Sequence, residues 1–241
     1  MYKENPKTRG SGIICAIPQE GTCPNKCEDC FFQGGRSYLE PLGKNLPNMP
    51  HISTTDYRVV RINDGNDSNV EREKVIDSCY GYIMKFYNTA IPADLEEFDA
   101  PVVLTINPGE KTDEVYNYIK IIPYNLMFVR YRTNMWNLEL MQRAIEHYSK
   151  KEVPIVLTFM AYFDIKSIPL AYRDHYSFRL RTANEYWAIT TRAWETVMFP
   201  YRYNKWVYSC GKIEGENGTS LCRHCGNCLR EYFATMERMR E

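Results

Sequence analysis

The sequence predicts an α/β protein in which about six parallel strands are wound into an open or partial barrel. Short runs rich in Val, Ile and Leu recur along the chain, and amphipathic segments of helical period separate most of them. Strands that are apolar on both faces are typical of parallel βαβ units, whose crossovers are right-handed. The 241 residues, of which 44% are apolar and 25% are charged, suit one fairly large globular domain.

Six runs are predicted as strands because each is apolar and is bounded by Gly, Pro or polar residues. They are 11–18, 57–64, 101–107, 126–133, 154–162 and 206–209. Helices are predicted at 70–87, 112–122, 138–150 and 182–198. The expected organisation is a barrel over 1–209, followed by a small cysteine-rich C-terminal extension over 210–241.

Charge and hydropathy exclude several classes of protein. Lys plus Arg equals Asp plus Glu at 30 each, so no net field draws the chain to nucleic acid or to an anionic membrane. No stretch approaches the roughly 20 apolar residues that a membrane-spanning helix needs, and the first residues lack the apolar run of a signal peptide. We therefore expect a cytoplasmic protein with no membrane partner.

The chain has nine cysteines, and a reducing compartment argues against a disulfide framework. Cys15 and Cys79 lie alone among apolar neighbours and are expected to be buried and inert. The other seven form two groups near the ends of the chain. The first group is Cys23, Cys27 and Cys30, and the second is Cys210, Cys222, Cys225 and Cys228.

Polar residues follow the predicted strands, at the carboxyl ends where parallel α/β folds carry their chemistry. The first cysteine group comes directly after the first strand. Candidate residues at the other strand ends are Asp64, Gly65, Asn66, Asp67, Arg132, Asn134 and Thr158. Any one of them alone would suit a solvated loop, but together with the cysteines they predict a functional site.

Three thiolates at such short spacing predict a metal site. A structural zinc ion takes four ligands, and His51 is the only nearby histidine that offers a fourth. A [4Fe–4S] cluster has four irons to ligate. With only three thiolates from the protein, one iron would stay open to a small molecule, and an open coordination position is a reaction site.

The spacing C-x3-C-x2-C after a first β-strand resembles the radical S-adenosylmethionine (radical SAM) superfamily. The resemblance covers about 11–209, and its specific part is the cysteine loop. It implies a partial (β/α)6 TIM-like barrel whose open iron binds the amino and carboxylate groups of the methionine part of SAM. It further implies reductive cleavage of SAM, with the 5′-deoxyadenosyl radical removing hydrogen from a substrate.

Two departures from the family pattern affect the expected SAM contacts. The family carries an aromatic residue before the third cysteine, whereas here Asp29 stands there and Phe31 follows as the expected aromatic contact, beside Phe32. The family's glycine-rich motif after strand two corresponds here to NDGND, 63–67.

Residue by residue, the resemblance implies the following SAM contacts. Gly65 would allow close backbone approach, and Asp64 or Asp67 would accept from the ammonium group. Arg132 is the strongest candidate for the carboxylate or ribose of SAM, with Asn134 beside it.

The second cysteine group predicts a second metal site. Its last three members have the C-x2-C-x2-C spacing of ferredoxin-type cluster loops. Four thiolates also satisfy zinc fully, but C-terminal auxiliary clusters recur among radical SAM enzymes, and we favour a second [4Fe–4S] cluster. His224 is expected to be exposed rather than a ligand.

The substrate is the least defined part of the prediction. Residues 165–208 carry seven basic and three acidic residues among many aromatics, a composition that allows nucleic acid but does not favour it. We expect a small-molecule, nucleotide or peptide substrate and a reductant such as flavodoxin or ferredoxin. The alternatives are an activase that installs a glycyl radical on a partner enzyme and a non-catalytic iron–sulfur or zinc binding module.

Overall fold

A seven-stranded parallel sheet organises the chain, and it curls into a half-barrel. The computed structural model describes residues 1–27, 30, 32, 38–52, 58–107, 119–181, 184–210 and 221–240. The seven strands are β1 (Ile13–Ala16), β2 (Val59–Ile62), β3 (Lys85–Thr89), β4 (Val102–Ile106), β5 (Leu126–Thr133), β6 (Ile155–Phe159) and β10 (Val207–Ser209). They lie side by side in that order, so β1 to β6 pair consecutively and β10 pairs with β6 at the edge. The predicted α/β class and parallel sheet are confirmed.

Three more strands form a small antiparallel sheet in the order β7-β9-β8. They are β7 (Ala161–Tyr162), β8 (Tyr176–Arg181) and β9 (Asn184–Ile189). The α-helices of the described residues are α1 (Leu42–Asn45), α2 (Arg72–Ser78), α3 (Leu138–Ser149), α4 (Thr191–Met198), α5 (Cys222–Cys225) and α6 (Asn227–Arg238).

The predicted helix at 70–87 is wrong in its second half. Helix α2 ends at Ser78, and Lys85–Thr89 is a strand that pairs with β2 on one side and β4 on the other. The aromatic residues of this stretch suit a pleated sheet because Phe86 and Tyr87 are packed into cores on its two faces. This strand brings the parallel sheet to seven strands, one more than the six predicted.

The predicted helix at 182–198 is also wrong in its first half. Asn184–Ile189 is β9, which pairs antiparallel with β8, and α4 begins only at Thr191. The Thr190 side chain accepts a hydrogen bond from the backbone N–H of Ala193 at 3.2 Å and so caps the helix. Most of the predicted helix at 112–122 lies outside the described residues.

Two apolar layers hold the sheet. On one face the larger core joins Ile14, Val60, Leu104 and Leu157 to buried residues of α2, α3 and α4. The opposite face, here called the inner face, carries Val59, Phe86, Val103, Phe128 and Val156. Helix α6 covers this inner face with the buried ring of Tyr232. The predicted C-terminal extension is therefore packed onto the sheet. No helix in the described part of the chain has the length and apolar character that crossing a bilayer requires.

Candidate functional site

The first cysteine group lies in the loop after β1, at the carboxyl end of the sheet. Cys23, Cys27 and Cys30 are all partly exposed, and the backbone N–H of Cys30 donates to the carbonyl of Cys27 at 3.3 Å. The pKa of Cys23 is raised to about 11, mainly by burial and also by the nearby Asp67, Cys27 and Cys30, against a backbone hydrogen bond from Asn25. Cys23 is therefore a neutral thiol near pH 7, and a metal bound to it would have to displace its proton.

Asp67 holds this loop to the sheet. Its Oδ2 accepts from the side-chain amide of Asn25 at 2.8 Å and from the backbone N–H of Ala90 at 2.7 Å. Its Oδ1 accepts from the Thr89 hydroxyl at 2.6 Å and from the Asn69 N–H at 2.9 Å. Four donors fill the acceptor capacity of a carboxylate. Asp67 thus serves as the anchor of the cysteine loop, and burial raises its pKa.

Asp64 lies on the other side of the same turn and has different partners. It receives a hydrogen bond from Nη2 of Arg61 at 2.6 Å, and the side-chain amide of Asn5 also donates to it. The turn itself begins at Asn63, whose φ of 61° is left-handed and suits asparagine. The Tyr38 hydroxyl is a further donor, 3.5 Å from Oδ2 of Asp64.

Gly65 makes room for an aromatic ring. A Cβ atom at this position would lie 2.8 Å from Cδ1 and Cε1 of Phe32 and 2.9 Å from Cδ1 of Ile17. Phe32, which follows the third cysteine, therefore packs closely against Gly65. Phe31, the expected aromatic contact of SAM, lies outside the described residues. Asn66 accepts a hydrogen bond from the backbone N–H of Asp67 at 2.9 Å and so shapes this turn.

Arg132 and Thr158 are paired neighbours on β5 and β6. Arg132 lies close enough to Cys27 to lower the pKa of that thiol, against the effect of burial. The Asn134 side chain has different partners. It donates to the Tyr162 hydroxyl at 3.2 Å and accepts from the Trp136 N–H at 3.0 Å. The structure therefore brings Arg132 to the cysteine loop and bonds Asn134 within an aromatic group of the helix-side core.

The second cysteine group lies at the same end of the sheet. Cys210 follows β10, and its N–H donates to the carbonyl of Leu157 at 2.8 Å. The pKa of Cys210 is lowered to about 5, mainly because the thiol of Cys225 hydrogen-bonds to it, and Arg130 and Thr158 add to the effect. Thr158 therefore lies between Arg132 on one side and Cys210 on the other.

Cys222 and Cys228 complete this group. Burial raises the pKa of both thiols, to about 11 for Cys228, while Arg61 lowers both. The N–H of Cys222 donates to the carbonyl of Lys7 at 3.0 Å, so the N-terminal segment contacts the group. His224 is exposed, as predicted.

The donor chemistry of both groups fits iron–sulfur or zinc, because thiolates are the protein ligands for both. Among the residues that the structure describes, no three His, Cys, Asp or Glu side chains converge on one metal position. Nε of Arg61, whose guanidinium acts on Cys222 and Cys228, is buried and has no hydrogen-bond partner among the described residues, and the same holds for Oδ1 of Asn107 after β4. Such atoms mark space for a further polar group.

Several residues of this site were not predicted from the sequence. Arg61 and Arg130 interrupt apolar strands at inner-face positions, and that interruption was a usable signal. No comparable sequence pattern indicates the roles of Asn25 and Thr89. Cys15 and Cys79 are fully buried, as predicted.

A cavity of about 500 Å³ lies at the opposite end of the sheet, with Lys85, Asp99 and Tyr232 in its wall. No predicted site residue lines it. Comparisons with protein-family models, curated proteins and solved structures returned no match to this chain.

Proposed function

We propose that this protein is a radical SAM enzyme. The observation that carries the proposal is the C-x3-C-x2-C loop placed directly after the first strand of a parallel half-barrel. A catalytic loop at the carboxyl end of such a sheet is where α/β folds concentrate their chemistry. The proximity of Arg132 to Cys27 supports the proposal further, because an Arg beside the loop suits the carboxylate group of SAM.

Each site residue has a proposed task. Cys23, Cys27 and Cys30 hold a [4Fe–4S] cluster, which supplies the electron for reductive cleavage of SAM. Asp64 accepts from the ammonium group of SAM, and Arg132 donates to its carboxylate or ribose. Phe32, packed on Gly65, offers a ring face beside the cysteine loop.

The C-terminal cysteines are the proposed ligands of a second cofactor. Cys210, Cys222, Cys225 and Cys228 supply four thiolates, which leave no open position and therefore suit electron transfer or structure. We propose a second [4Fe–4S] cluster there, and zinc is the alternative. The cationic neighbours Arg61 and Arg130 support an anionic occupant of either kind.

The substrate is proposed as a small molecule, a nucleotide or a peptide side chain, and the reductant as a flavodoxin or ferredoxin. Anaerobic reconstitution followed by incubation with SAM and dithionite tests the function. The proposal expects a cluster absorbance that SAM alters and the formation of 5′-deoxyadenosine. Protein that takes up zinc alone and leaves SAM intact would instead be a binding module.

A further inference from the structure

A cluster of aromatic rings and basic side chains lies at the amino end of the sheet, in the turn that joins α4 to β10. The guanidinium carbon of Arg202 is 4.1 Å from the centroid of the Phe199 ring and 4.7 Å from the centroid of the Tyr203 ring. The ammonium nitrogen of Lys205 is 4.7 Å from the centroid of the Trp206 ring. These are distances of cation–π contacts. The turn therefore holds two cations against three rings.

Two of these rings are open to solvent although they are large and apolar. Tyr203 is 87% exposed, and Phe199 is 62% exposed. The turn that carries them is ordered by its own backbone. The N–H of Arg202 donates to the carbonyl of Phe199 at 3.4 Å, and the N–H of Asn204 donates to the carbonyl of Tyr201 at 2.8 Å. Because the rings are already fixed in place, a flat partner could stack on them at a small cost in conformational entropy.

A groove along the end of α3 adjoins this turn. The side-chain amide of Asn204 donates to the hydroxyl of Ser149, the last residue of α3, at 3.4 Å. Nζ of Lys151 donates to the carbonyl of Lys120 at 2.8 Å, so the segment before β5 borders the groove as well. The groove has a volume of about 520 Å³ and is lined by Arg143, Glu146, His147, Lys150 and Lys151. The turn 199–206, this groove and Lys120 are here called the amino-end surface.

The amino-end surface and its border carry more positive than negative charge. The basic residues are Lys120, Arg143, Lys150, Lys151, Arg202 and Lys205, and the acidic residues are Glu139, Glu146 and Glu152. Six basic and three acidic residues leave a local excess of three positive charges. Arg143 pairs with Glu139 at 2.6 Å, whereas within the described part of the chain no carboxylate lies at ion-pair distance from Lys150, Lys151, Arg202 or Lys205. The equal totals of basic and acidic residues in the whole chain conceal this local excess.

We propose that the amino-end surface binds single-stranded nucleic acid, with bases stacked on Phe199 and Tyr203 and phosphates bound by the lysines. Every base has a flat face, and proteins hold single strands by combining aromatic stacking with a basic track for the backbone. An acidic peptide would use the lysines but would leave the exposed rings without flat partners. The surface lies at the opposite end of the sheet from the first cysteine loop and from Cys210, so this inference does not depend on the proposed function.

Fluorescence anisotropy of the full chain with a labelled single strand of about 12 nucleotides, as DNA and as RNA, tests the inference. Tyr203→Ala should weaken binding about five- to a hundredfold because one base loses its stacking partner, and Tyr203→Trp should retain binding. Lys205→Gln should reduce the slope of log affinity against log salt by about 0.7, which corresponds to one phosphate contact on a single strand. Both kinds of strand should bind, because neither stacking nor phosphate contact requires the 2′-hydroxyl of RNA.

The matched controls lie between β2 and β3, away from the amino-end surface. Tyr80→Ala removes a tyrosine that is 82% exposed, and Lys74→Gln removes a surface cation that pairs with Glu71. Both should leave the affinity and the salt slope unchanged.

Several results would overturn the inference. Binding of neither strand would do so, as would an unaltered affinity in Tyr203→Ala or an unaltered salt slope in Lys205→Gln. A duplex of the same sequence should compete less well than the single strand, because its bases are already stacked on each other, and equal competition would contradict the stacking contacts. Displacement of the strand by polyglutamate at equal charge would identify an acidic peptide as the occupant and would also overturn the inference.

Discussion

Asp67 accepts a hydrogen bond from Asn25 at 2.8 Å, and Asn25 lies between the first two cysteines of the first loop. The same carboxylate binds Thr89 and Ala90 at the end of β3. A loop of three thiols can hold a cluster only if its backbone is fixed, because each ligand must reach its own iron. Asp67 holds the backbone of this loop in place, and Asp67 itself is buried, with 3% of its surface exposed.

Replacing Asp67 with Ala should therefore reduce iron binding at the first loop. The change removes the acceptor of four hydrogen bonds, from Asn25, Asn69, Thr89 and Ala90, at about 1–3 kcal/mol for each donor left unsatisfied. We expect iron in reconstituted protein to fall from about eight to about four per chain, because only the C-terminal group would keep its cluster. Full iron content in Asp67→Ala would show that the loop does not need this anchor.

Replacing Asp64 with Ala should weaken SAM binding and leave the iron content unchanged. If Asp64 binds the ammonium group of SAM, its loss removes a charge-assisted hydrogen bond of about 1.5–3 kcal/mol, which weakens SAM binding about ten- to a hundredfold. Iron content should stay unchanged, because Asp64 bonds to Arg61, Asn5 and Tyr38, none of which lies between Cys23 and Cys30. Equilibrium dialysis with labelled SAM measures the affinity, and an unaltered value would remove Asp64 from the SAM site.

Gly65 and Phe32 should be coupled in stability. Gly65→Ala places a methyl group 2.8 Å from the Phe32 ring and should cost about 1–3 kcal/mol of unfolding free energy. In a Phe32→Ala background part of this penalty should vanish, as a double-mutant cycle by chemical denaturation would reveal, while the contact with Cδ1 of Ile17 at 2.9 Å should remain. Gly81→Ala is the matched control, because an added Cβ there meets no atom within 4 Å. Equal penalties in both backgrounds would mean that the two residues are not in contact in solution.

The C-terminal cysteines should hold iron independently of the first loop. Protein with Cys23, Cys27 and Cys30 replaced by Ala should retain about four irons, with a spectrum that SAM does not perturb. Replacing Cys222 and Cys225 instead should leave about four irons whose spectrum SAM does change. Stoichiometric zinc in anaerobically purified, unreconstituted protein would favour the zinc alternative.

Local patterns in the sequence predicted most of the sheet. Runs such as PVVLTIN and PIVLTFM are apolar and end at polar residues, so their strands were visible without tertiary information. The strand Lys85–Thr89 was not, because the polar residues Lys, Asn and Thr flank its aromatic pair and only its neighbours β2 and β4 make it a strand. Tertiary pairing there overrides a weak local preference.

The residues of the candidate site were likewise predictable only in part. The cysteine loops were predictable because their spacing is local. The hydrogen bond from Asn25 to Asp67 and the hydrogen bond from Arg130 to Asn88 each join residues 42 positions apart, so no short sequence motif could predict them. The expectation that Asp64 or Asp67 accepts from the ammonium group of SAM comes from the family resemblance of the NDGND loop, and the anchoring role of Asp67 is visible only from its four hydrogen bonds.

The most direct test of the central claim is the formation of 5′-deoxyadenosine by single-cysteine variants. Anaerobically reconstituted wild-type protein with SAM and dithionite should produce it, and Cys23→Ala, Cys27→Ala and Cys30→Ala should each abolish it, because each removes one ligand of the cluster. Cys79→Ala, at a buried position away from both groups, is the control that should retain cleavage. Undiminished cleavage in any of the three loop variants would contradict the assignment of this protein as a radical SAM enzyme.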